Sequence, residues 1–192
     1  MTLVRFMKTA AAVAMFLSAG AVIPTVALGA GSAKPDGLIQ YALNCYPNPT
    51  TCRAPNPPKP YVGGNIYNST GLSQTVTLKY YSTSPAGSWV VLYIKIQNDG
   101  TAAGRFSVRA PATGTKVKYF DNSGSNVTSA ITGGSYRTAS IAPGGLAYIS
   151  VEVHKLDTLI GMARLVTITS VTDATRKDAV KFSVKAGGSC GC

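Results

Sequence analysis

The chain has 192 residues, carries 18 Lys and Arg against 7 Asp and Glu, and holds one histidine. That length can bury the core of one domain without help from metals, and the basic side chains are scattered instead of forming the long run that specifies a polyanion. One histidine and seven acids leave little material for acid–base or metal chemistry.

Residues 1–30 read as a secretory signal. Arg5 and Lys8 open it, Ala10 to Ile23 is an apolar run broken only by Ser18 and Gly20, and Pro24 ends it. Cleavage is expected after Gly29 or just beyond. The run is shorter than the ~20 residues that cross a bilayer, and no later stretch is long enough, so the mature chain is expected to have no transmembrane span and to be secreted or held at the cell surface. Without Arg5 and Lys8 it still carries 16 basic against 7 acidic side chains.

Residues 31–60 are expected to form a Pro-rich, Cys-bearing arm. Six prolines fall between Pro47 and Pro60. Each removes a backbone donor and fixes φ, so no helix or central strand is expected through the irregular stretch 34–60. Cys45 and Cys52 bracket the segment CYPNPTTC, and Cys190 and Cys192 end the chain in a Gly/Cys tail, 187–192. Four cysteines allow three connectivities. A local Cys45–Cys52 bridge is favoured and contributes about 2.5 kcal/mol by chain entropy; tying the tail to that loop contributes about 5, and a Cys190–Cys192 bond is strained.

From Tyr61 to Ala186 the texture is that of a β-sandwich. Thr75–Tyr81 reads as a strand. Ser88–Gln97 is clearer: Val90, Leu92, Ile94 and Ile96 share one face while Tyr93, Lys95 and Gln97 share the other. Asn98-Asp99-Gly100 is a turn signal, and Gly104–Ala110 alternates again, so these two are expected to pair as neighbours. Thr115–Asp121 precedes a turn-rich stretch, Asp121 to Asn126, whose alternate oxygen ligands faintly resemble a calcium loop but lack its closing glutamate, so a plain turn is expected. Tyr136–Ile141 reads as a strand. Beyond Pro143-Gly144-Gly145, Ala147, Ile149, Val151 and Val153 alternate with Tyr148, Ser150, Glu152 and His154. Leu165–Val171 and Ala179–Lys185 close the domain, and helix is expected only as a turn within Leu156–Ala163. Seven or eight antiparallel strands with almost no helix must bury their apolar faces on each other, an all-β, immunoglobulin-like two-sheet sandwich.

The segments YVGGNIYNSTG (Tyr61–Gly71), IKIQNDGT (Ile94–Thr101), SIAPGGLAYISVEV (Ser140–Val153) and TSVTDATRKDAVKFSV (Thr169–Val184) resemble the immunoglobulin-like modules of secreted bacterial proteins, of the domain-of-unknown-function-11 and CARDB type. The resemblance implies an extracellular or matrix module that has no catalytic residues to carry over.

No enzyme is expected, and no cofactor or metal. His154 stands on an outward strand position without a second histidine or a nucleophile elbow, and most acids sit in turns. The candidate binding face comprises Tyr93, Lys95, Arg105, Arg109, Lys116, Lys118 and Tyr148, all on outward positions. Basic and aromatic side chains together can grip a sugar or a single-stranded nucleic acid. For an exported chain the nucleic acid is disfavoured. The reading is a non-catalytic extracellular or cell-surface structural or adhesion module, with a carbohydrate-binding module for anionic glycans as the alternative. Its expected partners are a cell-surface polymer, another extracellular protein, or a second copy of itself.

Overall fold

A computed structural model describes residues 31–45, 60–80, 89–112, 116–154 and 161–186. Their strands are β1 (Pro35–Cys45), β2 (Thr75–Tyr80), β3 (Trp89–Asn98), β4 (Phe106–Arg109), β5 (Val117–Phe120), β6 (Leu146–His154), β7 (Ala163–Ser170) and β8 (Lys177–Ala186). They form two four-stranded sheets, β1-β3-β6-β5 and β2-β8-β7-β4. The two-sheet sandwich read from the sequence is therefore present. Pairing is antiparallel except between β2 and β8, which run parallel.

Alternation explains the layers. Leu92, Ile94 and Ile96 of β3 and Ile149, Val151 and Val153 of β6 turn inward, against Phe106, Val108, Val166, Ile168, Val180, Phe182 and Val184 of the second sheet. Each of these is 0% exposed, so each stabilises the fold by about 1.5–3 kcal/mol relative to an exposed position.

Three expectations need correction. Pro35–Cys45 is a strand, not part of an irregular arm: it pairs with β3 from Pro35↔Asn98 to Cys45↔Trp89, with a bulge between Tyr41 and Asn44. Pro35 is tolerated because it is the first residue of its strand. Gly37 then lets β1 approach the second sheet, since an added Cβ would lie 2.7 Å from Ile168 Cδ1. The prolines at 47–58 lie outside the described residues.

Secondly, β3 and β4 are not neighbours. β3 lies in the first sheet, and β4 pairs with β7 in the second. The buried Asn98 side chain turns the connection into an arch across the sandwich. Its Nδ2 donates to the carbonyls of Ala102 and Ile141, both at 2.8 Å, and its Oδ1 accepts from the N–H groups of Lys34 and Gly100. Thirdly, Tyr136–Ile141 forms no ladder strand. It runs beside β4 through isolated bridges, Ser107↔Arg137 and Gly104↔Ile141, and covers that sheet edge.

A short helix, α1 (Thr128–Gly133), lies where no helix was expected. It buries Ile131 and ends at Gly134, whose φ of 78° suits a left-handed C-cap. The stretch expected to form a helical turn, Leu156–Ala163, falls largely outside the described residues, as do the signal segment, Cys52, Cys190 and Cys192. Among the described residues no helix is long and apolar enough to cross a membrane.

Candidate binding faces

Residues directly opposite each other in a ladder share a face. The register therefore assembles the outer surface of the first sheet without reference to anything else. Trp89 lies opposite His154, Val91 opposite Glu152, Tyr93 opposite Ser150, and Lys95 opposite Tyr148. On the far side of β6, Lys118 lies opposite Glu152 and Phe120 opposite Ser150. Four of the seven candidate residues, Tyr93, Lys95, Lys118 and Tyr148, thus share this surface, and Lys116 immediately precedes β5. Arg105 and Arg109 do not. They belong to the β4 side of the second sheet, because the arch at Asn98 carries the chain across.

Sequence reasoning missed aromatic members of the same surface. The Trp89 and His154 rings are 4.5 Å apart, centroid to centroid, and Lys118 Nζ stands 5.1 Å from the Trp89 ring. Tyr61 arrives from the segment that bridges β1 at Ile39↔Val62, and Lys95 Nζ lies 5.1 Å from its ring. Burial, then the neighbouring Tyr148 and Tyr93, push the Tyr61 phenol above its ordinary range. Glu152, the acid on this surface, is likewise pushed up by burial, with Lys118 opposing the shift. Trp89 could have been placed here from the two-residue rhythm of β3, as His154 was from that of β6, whereas Tyr61 carries no such signal. The result is a row of rings interleaved with two lysines.

No family model and no curated protein matches the chain. Among solved structures it is similar to the N-terminal domain of PorA, at 10% identity and a TM-score of 0.37, covering 60% of this chain and 88% of that one. It is also similar to the secreted serine protease VesC from Vibrio cholerae, at 12% identity and a TM-score of 0.34, covering 59% of this chain and 22% of that one. A third likeness is to a family 123 glycoside hydrolase from Clostridium perfringens, at 8% identity and a TM-score of 0.31, covering 56% and 22%.

The acids are drawn together elsewhere, beneath the loop 61–74. Gln74, 0% exposed, donates from Nε2 to the carbonyls of Gly37 and Ile66 and to Asp178 Oδ2. Asp178 also accepts from the N–H groups of Gly37 at 2.6 Å and Asn68 at 3.0 Å. Burial raises its pKa while these bonds oppose the rise. Asp36 accepts from Asn65 N–H through Oδ2, and burial raises its pKa to about 6. Beside them Asp99 accepts from the Tyr67 hydroxyl at 2.6 Å, and Lys34 Nζ lies 3.2 Å from the Tyr67 ring. Asp36 and Asp178 are both buried, so these carboxylates hold a loop instead of facing a cleft.

Asp121 behaves as a turn residue. Its Oδ1 accepts from the Ser123 N–H, the Ser123 hydroxyl and the Ser125 N–H, and these bonds hold its pKa below the usual value. Among the described residues no group of three or more His, Cys, Asp or Glu side chains is placed to hold a metal ion.

Proposed function

We propose that this protein is a non-catalytic extracellular or cell-surface module that adheres or assembles through the outer face of β1-β3-β6-β5. The observation that carries this reading is the row of Trp89, His154, Tyr61, Tyr93 and Tyr148 interleaved with Lys95 and Lys118 on one face. Partly exposed rings on a sheet face offer large contact area at small entropic cost, and this is the chemistry of a docking surface. Residues 1–30 and the resemblance to secreted immunoglobulin-like modules support the location outside the cell.

Sedimentation of the mature protein over a concentration series, together with retention on whole cells of the producing organism, tests the reading. Trp89→Ala and Tyr148→Ala should each weaken whichever association is found, while the thermal midpoint stays near that of the parent. Association untouched by both substitutions would count against this face. Four free thiols in protein taken directly from the medium would contradict the oxidising location, because exported cysteines pair.

The tyrosine pair favours a second reading, a carbohydrate-binding module for anionic glycans. Tyr93 and Tyr148 stand on adjacent strands, where their rings can stack on sugar faces while Lys95 meets a carboxylate or sulfate. A glycan panel separates the readings. Saturable binding lost in Tyr93→Ala or Tyr148→Ala supports the second, and self-association without glycan binding supports the first.

A further inference from the structure

The outer face of the second sheet holds a different constellation, on side chains that the aromatic face does not use. A groove of about 500 Å³ is lined by Ser107, Arg109, Arg137, Thr167 and Thr169, with Gly134 at its margin. A second hollow of about 380 Å³ continues it past Arg109 and Thr167. Gly134 brings the two arginines together. Arg137 Nη1 donates to the Gly134 carbonyl at 2.9 Å, and a Cβ added at Gly134 would lie 3.5 Å from Arg109 Cδ. Arg137 is fixed further by bonds from the same Nη1 to Ser107 Oγ and to the Tyr136 carbonyl.

Two exposed arginine side chains therefore border Gly134, and among the described residues neither forms an ion pair with a carboxylate. Two like charges so close favour a shared anion, and the planar fork of arginine suits the paired oxygens of a carboxylate or a phosphate. The ladder extends the charge into a strip. Arg137 lies opposite Ser107, Ser107 opposite Thr169, and Thr169 opposite Lys177. Three inter-strand spacings span about 14 Å, which is long enough for a run of sugar rings and too long for one small anion. The strip offers hydroxyls between its charges, and no aromatic side chain lines either hollow. Hydroxyls can bond to sugar hydroxyls, and the lack of rings removes the stacking that single-stranded nucleic acids require.

We propose that the groove between Arg109 and Arg137 binds a carboxylate-bearing polysaccharide, its acid groups on the two guanidiniums and its hydroxyls on Ser107, Thr167 and Thr169. This site is separate from the aromatic face and stands or falls independently of it.

Affinity electrophoresis of the full chain in gels containing polygalacturonate, neutral dextran, polyglutamate or duplex DNA tests it. Polygalacturonate should retard the protein most and dextran not at all, with retardation falling as salt screens the contact. Arg109→Ala and Arg137→Ala should each raise the half-retarding concentration about tenfold, as expected for losing a charge-assisted pair, while Lys185→Ala, at the far end of β8 from Lys177, changes it less than about twofold. Because Arg137 also ties Gly134 and Tyr136, Arg109→Gln keeps the test interpretable should Arg137→Ala unfold the corner. Equal retardation by polyglutamate or DNA overturns the polysaccharide assignment. Unchanged retardation in Arg109→Ala and Arg109→Gln overturns the site, and so does an equal loss in Lys185→Ala.

Discussion

Asp36→Asn separates the charge of the buried acid from its shape. Asp36 is 2% exposed, its Oδ2 accepts from Asn65 N–H at 3.0 Å, and its Oδ1 makes no hydrogen bond among the described residues. Burial is the largest cause of its raised pKa, with Asp99 and Asp178 adding to it against the Asn65 bond. A carboxyl that holds its proton more tightly when folded contributes stability below its unfolded pKa and loses it as pH rises. Here the loss runs from 3.8 to about 6 and is complete above. At about 1.4 kcal/mol per pH unit the group costs about 3 kcal/mol at neutral pH. The amide resembles the protonated acid in carrying one acceptor and a donor. The variant should therefore match the parent near pH 4 and exceed its stability by up to about 3 kcal/mol near pH 7.5. Urea unfolding across that range measures both. Asp178 titrates with the same sign in both proteins, so their difference reports Asp36 together with its repulsion of Asp178. A parent and variant whose stabilities run parallel across this range would refute the argument, as would an Asp36 carboxyl that NMR shows titrating near the ordinary value.

Gly100→Ala should cost about 2–4 kcal/mol in denaturant unfolding, since the new Cβ would meet the Ser32 carbonyl, the Ala33 Cα and the Lys34 nitrogen, all backbone atoms. Gln74→Ala removes the amide that joins Gly37, Ile66 and Asp178, and a loss of about 2–4 kcal/mol with faster proteolysis within 61–74 is expected. Tyr119→Phe should be neutral or stabilising by up to about 1 kcal/mol, because its buried hydroxyl has no hydrogen-bond partner among the described residues. Thermal unfolding shows the outcome, and a clear drop in midpoint would reveal a partner for that hydroxyl.

β3 and β6 were legible because four inward aliphatic residues alternate with polar ones in each, which is enough to fix both a strand and its faces. β1 was not. Its apolar positions are interrupted by Gly37 and Gln40 and followed by dense proline, and its pairing depends on partners 44 to 63 residues away. The Asn98-Asp99-Gly100 turn was found, but its role was misread, since local chemistry says that a chain turns and only the distant bonds from Asn98 to Lys34 and Ile141 say where it goes. For the same reason the candidate face mixed two surfaces. Along β3 and β6 the ladder puts the outward residues on one surface, and the sheet to which Arg109 belongs was set by β7. The α1 helix is too short to show a 3.6-residue period, and the approach of Arg109 to Arg137 depends on its C-cap.

The placement of the acids connects the composition to both proposed surfaces. Asp36 and Asp178 are buried under the 61–74 loop, Asp99 holds Tyr67 and Gln97, Asp121 closes its own turn, and Asp173 binds Thr175 and Arg176. Of the acids among the described residues, Asp36 and Glu152 hold outward strand positions, and the 61–74 loop covers Asp36. A modest excess of basic residues thereby becomes strongly positive sheet surfaces, since the compensating charges are used in turns and under a loop. Placing an acid among the lysines and arginines should consequently do more harm to binding than removing one of them. Thr169→Glu, on the outer face of β7 between Ser107 and Lys177, should abolish polysaccharide retardation while leaving the sandwich folded, because that position is only partly buried and its neighbours are basic or hydroxylic.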